Sequence, residues 1–224
     1  MDMFGPTLFV FAHLDDETIL SFGTMKQLRA KGHRVGVLVP CGFGRPTSER
    51  PDSSSRRETF NEIMDKIGVD FVSIGKMHDR NIDVPAFKDA LDNVINMFIP
   101  TTIVTHSPTD IHTDHSLVAY EVLVASRPHG ARNTRVQQVL TTVSPNSLQG
   151  FGQFGKFNPD TFVNITEYCE EKNRMLMEYV KTGEGPYDYD DARSASSISA
   201  QNLAWGRLGG CDSAEAYETV FRLC

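Results

Sequence analysis

Short apolar, β-branched runs alternate with longer amphipathic stretches along most of the chain. TLFVFAH (7–13), RVGVLVPC (34–41), FVSIG (71–75), TTIVTHS (101–107) and VQQVLTTVS (136–144) each have the length and content of a buried strand. Between them, apolar residues recur at helical spacing over 17–31, 55–67, 85–98 and 115–126. Gly32, Gly68 and Pro100 supply stops for the first three of these helices. Strand and helix in strict alternation imply right-handed crossovers and a mainly parallel sheet covered on both faces. The expected fold is therefore α/β, a Rossmann-like three-layer sandwich. After residue 144 the pattern loosens. A glycine-rich loop, GFGQFGKF, leads to a predicted helix at 166–181, a polar loop, and a last helical stretch around 214–221. We expect one domain over 1–224, with a core of about 1–145 and a small C-terminal extension of about 146–224.

Composition narrows the partners. With 40% hydrophobic residues among 224, the chain can bury one substantial core. A net charge of −7 with scattered basic residues argues against stable nucleic-acid binding, which needs clustered Lys and Arg. A local basic pocket for a small anionic ligand stays open. No apolar run approaches the roughly 18 residues of a membrane span, and the N-terminus lacks the profile of a signal peptide. The expectation is a soluble cytoplasmic protein, with a homo-oligomer compatible with it. Cys41, Cys169, Cys211 and Cys224 show no CxxC spacing, so neither a zinc ribbon nor a disulfide framework is indicated.

In a sheet of this kind the ligand site lies beyond the carboxyl ends of the strands, at the switch in strand order. The polar clusters fall there. His13, Asp15 and Asp16 end the first predicted strand, residues 42–55 follow the second, and His78 and Asp79 follow the third. His106, Asp110, His112, Asp114 and His115 follow the fourth. Asp15 or Asp16 could instead cap the next helix, so those two acids alone do not decide between a cap and a site. The second cluster shifts the balance: imidazole and carboxylate together suit Zn²⁺ or Fe²⁺, and a catalytic site offers three protein ligands with a position left for water.

AHLDDE (12–17) resembles the AHPDDE signature of the LmbE/PIG-L family of metal-dependent N-deacetylases, and DIHTDH (110–115) resembles that family's later HPDH-type motif. SSSRRETFNEIMDKIGV, SIGKMHDRNID, NITEYCEEKNRMLMEY and DSAEAYETVF resemble further family segments, so the likeness runs nearly end to end. It implies that His13, Asp16 and His115 hold the metal, Zn²⁺ or else Fe²⁺ or another divalent ion, and that Asp15 is the general base. It implies that His112, as imidazolium, stabilises the oxyanion or protonates the departing amine, with Asp114 orienting His112 and raising its pKa. Arg56 is expected to point toward the sugar and Asp79 to stand at the pocket wall, with His106 and Asp110 supporting the ligands by hydrogen bonds. Phe151, Phe154 and Phe157 could form a lid or simply pack a loop. Leu14 stands in place of the signature proline, Phe43 where an acid often contacts substrate, and Asn164 in place of an aspartate.

The implied reaction is hydrolysis of an N-acetyl group on a GlcNAc-like sugar or a related acetylated amine. Three other classes fit less well, and a plain structural or interaction module would not explain the two motifs. A metallo-phosphoesterase commonly assembles two metals with more ligands than the sequence places. A non-catalytic sugar-binding relative would have lost Asp15 or His112, and both are retained.

Overall fold

The computed structural model of the protein describes residues 4–44, 54–127, 135–148, 157–182 and 193–223. Five parallel strands, β1 (Thr7–Val10), β2 (Val35–Val39), β3 (Phe71–Ile74), β4 (Thr102–His106) and β5 (Gln138–Thr142), make most of one sheet. Each of the first four is followed by a helix: α1 (Asp16–Ala30), α2 (Ser54–Ile67), α3 (Val84–Phe98) and α4 (Thr113–Ala125). The C-terminal part adds β6 (Thr161–Asn164), α5 (Cys169–Lys181), α6 (Ala195–Gly209) and β7 (Ala214–Arg222). The strand order is β3-β2-β1-β4-β5-β7-β6, with β7 antiparallel to both of its neighbours. The mainly parallel α/β sandwich expected from the alternation is the fold that forms.

β1 explains the layering. Leu8, Val10 and Ala12 enter one apolar cluster with Phe87, Leu91 and Phe98 of α3 and Val118 and Val122 of α4. Phe9 and Phe11 enter the opposite cluster with Phe22 and Met25 of α1, Phe60 and Ile63 of α2, and Met175, Leu176 and Tyr179 of α5. Covered on both faces, the strand needs apolar residues at every position, which is why it reads as a continuous run. Each such side chain contributes on the order of 2 kcal/mol by leaving water. The helix ends follow local rules. Gly32 and Gly68 take positive φ just beyond α1 and α2, and the Asp83 side chain accepts the Ala86 N–H at the start of α3.

The C-terminal part departs from the sequence reading. The stretch around 214–221, expected to be helical, is strand β7. AEAYETVF has helix-forming Ala and Glu, yet β5 and β6 offer backbone partners on both sides, and pairing with both outweighs that weak preference. The polar loop expected after α5 contains α6, capped by the Ser194 side chain accepting from Ser197 N and stopped by Gly210 in the left-handed conformation. β6, four residues long, had no separate signal. Asn164 accepts from the Thr166 N–H and hydroxyl, so the substitution for aspartate serves the turn after β6. Phe157 packs edge-on against Trp205, whereas Phe151 and Phe154 lie outside the described residues.

Two features bind this extension to α1. A Cβ on Gly23 would meet Ile165 at 2.5 Å, so only glycine permits the approach of α1 to the turn following β6. Glu215 of β7 accepts from Gly23 N, Thr24 N and the Thr24 hydroxyl, and pairs with Lys172 of α5.

Candidate active site

The strand order reverses between β1 and β4, and their carboxyl ends open a crevice there. A cavity of about 630 Å³ occupies it, lined among others by His13, Asp15, Asp16, Arg56, Asp79, Asp110, His112 and His115. Residues separated by a hundred positions in sequence meet in it because β1 and β4 are neighbours in register.

Three atoms form a near-equilateral triangle. His13 Nδ1 is 3.2 Å from Asp16 Oδ2, His115 Nε2 is 3.4 Å from the same oxygen, and His115 Nε2 is 3.3 Å from His13 Nδ1. Tetrahedral bonds of about 2.0–2.1 Å to nitrogen and oxygen require ligand separations of roughly 3.3–3.4 Å. These donors therefore fit a small divalent ion such as Zn²⁺ without rearrangement. Other His/Asp groupings also lie within metal-binding reach, one of them Asp16, His106 and His115. His106 is the weaker donor, because its Nε2 already accepts the Ala12 N–H at 2.9 Å.

Carboxylates back the two rings of the triangle. His13 Nε2 lies 2.9 Å from Asp114 Oδ2 and 3.4 Å from Asp79 Oδ1. His115 Nδ1 lies 3.1 Å from Asp110 Oδ2, off the hydrogen-bonding line but close enough for ion pairing. Asp110 is itself fixed by the His112 N–H, the Ser144 N–H and the Ser147 hydroxyl. This carboxylate–imidazole arrangement orients a ligating ring and raises its basicity. Burial pushes His115 down, but Asp16 and Asp110 outweigh it and raise the ring to about 9. Burial likewise pushes His13 down, but hydrogen bonds to Asp114, Asp16 and Asp79 outweigh it and raise the ring well above its ordinary value. Asp16 would be raised by burial, and the charge on His115, with hydrogen bonds from His106 and His115, instead holds it well below the usual carboxylate range.

His106 is fully buried, with its ring stacked on His115 at 3.8 Å. Burial and then the charge on His115 push it down to about 4. It supports the site as a neutral ring holding the end of β1.

The expected partnership of Asp114 with His112 is not what forms. Asp114 bonds to His13 and to the Arg80 N–H instead, while His112 Nδ1 accepts the Asp114 N–H as the N-cap of α4. An accepting Nδ1 puts the proton of the neutral ring on Nε2, which lies 3.7 Å from Asp79. Asp114 raises His112 as expected, but burial with the charges on His115 and His13 outweighs it and pushes the ring down to about 4. A neutral imidazole with Nε2–H is therefore the form available here.

Asp15 sits at the N-cap position of α1 but makes no side-chain cap bond. Its carboxylate pairs with Arg56, so the capping alternative does not hold for this residue. Asp16 also does not cap, its Oδ2 accepting the His13 N–H instead. The Arg56 guanidinium thus lines the cavity while bound to Asp15. Phe43 lines the same cavity, with the Arg57 guanidinium over its ring at 4.9 Å and His78 stacked at 5.2 Å. Sequence reasoning gave Glu17 and Arg193 no role. Glu17 is fully buried beneath Asp15, and Arg193, just before α6, lines the cavity. The Glu of AHLDDE was a visible signal for the first; nothing local marked the second.

A cleft at the switch point of an α/β sheet, holding a His/Asp triangle at metal-ligand spacing, defines a site suited to metal-assisted chemistry. The chain matches the PIG-L family, described as GlcNAc-PI de-N-acetylase, over residues 8–126, and it belongs to that family. It is similar to the 1D-myo-inositol 2-acetamido-2-deoxy-alpha-D-glucopyranoside deacetylase of Segniliparus rotundus, with 62% identity over 37 residues, 16% of this chain and 11% of that relative. The match thus spans a small part of that relative's length. The N,N'-diacetylchitobiose deacetylase of Pyrococcus horikoshii has a similar structure, with a TM-score of 0.78, 15% identity, and 96% of this chain and 83% of that one covered. So does the 4-carboxy-2-hydroxymuconate hydratase of Pseudomonas putida KT2440, with a TM-score of 0.74, 18% identity and 98% of each chain covered. At such identities the likeness establishes the fold, and the last pair shows that different reactions are hosted on it. Among the described residues, no helix is long and apolar enough to cross a membrane.

Proposed function

We propose that the whole chain, 1–224, acts as one metal-dependent N-deacetylase domain that hydrolyses an acetylated amino sugar or a related acetylated amine. The observation that carries this reading is the near-equilateral triangle of His13, Asp16 and His115 with Asp15 beside it. His13, Asp16 and His115 would hold a divalent cation, Zn²⁺ in the first instance. When bound, such an ion polarises a carbonyl and makes water a better nucleophile at neutral pH.

The chain's own groups supply the rest. Asp15, paired with Arg56, accepts the proton of the attacking water. The Nε2–H of neutral His112 donates to the amide oxygen as it gains charge, a role that needs no imidazolium. Asp15 then returns its proton to the departing nitrogen, giving acetate and a free amine. Asp114 and Asp79 keep the His13 ring turned toward the triangle. A phosphoesterase with a second metal is less well supported, because Asp110 and Asp114 are committed to His115 and His13.

The cavity is large enough for a mono- or disaccharide. Three residues that carry a guanidinium, Arg56, Arg80 and Arg193, line it in a chain of net charge −7, with Arg56 paired to Asp15. Planar forks of this kind favour a substrate that also bears a carboxylate or phosphate. The reading is tested by incubating zinc-loaded protein with a panel of acetylated amino sugars and following acetate release. Loss of 42 Da as acetyl from at least one of them, abolished by a chelator, is the expected result. No release from any of them, with the metal verified as bound, refutes it.

A further inference from the structure

Glu17 takes no part in the chemistry above, yet it is fully buried against the Asp15 backbone. Its Oε2 accepts the Asp15 N–H at 3.0 Å. Its Oε1 accepts two hydroxyls at 2.8 Å, from Thr18 and from Tyr179. Tyr179 comes from α5, is itself fully buried, and reaches Glu17 across 162 positions of sequence. A buried carboxylate is costly unless hydrogen bonds compensate it, and here three donors converge on one.

What these donors surround is a strained residue. Asp15 has φ 150° and ψ −27°, a conformation that residues with a side chain rarely adopt. Such an outlier costs on the order of 1–3 kcal/mol and persists only where its surroundings over-determine it. The surroundings do so here. The Asp15 carbonyl accepts from Thr18 N and Ile19 N to begin α1, its N–H is taken by Glu17, and its side chain is paired with Arg56. From the second helical position Glu17 reaches back to the N-cap N–H, one place earlier than the acid of a capping box, and the N-cap side chain makes no bond to the helix in return. The Asp15 carboxylate is thereby released from capping and lines the cavity instead.

We propose that Glu17 and Tyr179 are positioning residues, a buried clamp that holds the Asp15 backbone in this conformation and so aims its carboxylate into the cavity. The functional consequence rests on the reading of Asp15 as base; the clamp itself concerns only conformation. The hydrogen-bond inventory orders the variants. A backbone N–H can only donate, whereas hydroxyls can rotate and accept. Glu17→Gln keeps an acceptor for the Asp15 N–H and turns its amide toward the two hydroxyl oxygens, so it preserves the clamp. Glu17→Leu is of similar size and removes the acceptor. Tyr179→Phe removes one donor and loosens the clamp from the α5 side.

The test uses full-length, zinc-loaded proteins, with crystal structures, metal content, melting curves, and kcat and KM for N-acetylglucosamine. In Glu17→Leu we expect Asp15 to relax to negative φ and kcat to fall by about 10²-fold, the usual loss for a reacting group displaced by about 1 Å, with KM and metal content unchanged. Glu17→Gln should restore the φ near 150° and most of kcat. Should Glu17→Leu not fold, Tyr179→Phe carries the test, with a smaller fall in kcat and a shifted Glu17. An Asp15 that keeps its conformation in Glu17→Leu overturns the clamp whatever the activity. So does a Glu17→Gln protein as impaired as Glu17→Leu, or a Tyr179→Phe protein with wild-type kcat and an unmoved Glu17. Wild-type protein that releases no acetate from any acetylated amino sugar refutes the base assignment instead, while the variant structures still decide the clamp.

Discussion

Lys172 and Glu215 form an ion pair whose removal should be felt by the whole C-terminal extension. Lys172 is 0% exposed and Glu215 2%, and their Nζ and Oε1 atoms are 2.8 Å apart. Lys172→Met leaves an anion buried without its counter-ion, and breaking a buried pair from one side costs about 3–5 kcal/mol. For a chain of this size that corresponds to a fall in Tm of roughly 6–20 °C. Glu215→Gln should be similarly damaging, because it strands the ammonium, although the side-chain oxygen can still accept from Gly23 N or Thr24 N. The double variant Lys172→Met/Glu215→Gln removes both charges, so its loss should be well below the sum of the two single losses. Urea titration at fixed pH, with the midpoint and slope compared across the four proteins, measures the coupling directly. A Lys172→Met protein within about 1 kcal/mol of wild type, far below the penalty for an unpaired buried charge, would refute the reasoning. Strict additivity would do the same.

Purified protein should carry about one divalent ion per chain, and His115→Ala should lose most of it to a chelator, because two ligands rarely retain zinc; elemental analysis decides. Asp15→Asn should keep the metal while kcat falls by roughly 10²–10⁴, the range for a positioned base, and loss of metal with activity would mean that Asp15 and Asp16 have exchanged roles. Arg80→Ala should raise KM for N-acetylglucosamine 6-phosphate more than for N-acetylglucosamine, and equal changes would remove Arg80 from anion recognition. Burial pushes the Cys41 thiol up to about 12, so it stays protonated and inert at pH 8. Iodoacetamide treatment of the native protein at that pH, read by peptide mass mapping, should leave Cys41 unmodified.

The parts of this protein legible in its sequence are those with local causes. β1, β2, β4 and β5 announce themselves because strands buried on both faces are rich in apolar and β-branched residues, β3 at the sheet edge shows as a short apolar run, and the first three helices end where glycine or proline stops them. The His and Asp residues of the site were legible for the same reason, each following the end of a strand, where such a sheet binds its ligands. Other features depend on partners distant in the chain. β7 is a strand because β5 and β6 flank it, against the helical leaning of its Ala and Glu. Asp114 turns to His13, 101 residues away, in preference to its neighbour His112, whose ring is taken up by capping α4. Glu17 finds Tyr179 and Glu215 finds Lys172 only once α5 and β7 have packed against α1. Residue types and their periods determined which elements form and where polar chemistry gathers. Which polar atom faces which was decided by packing, because burial compels every such group to find a partner and only the folded chain determines which partners are within reach.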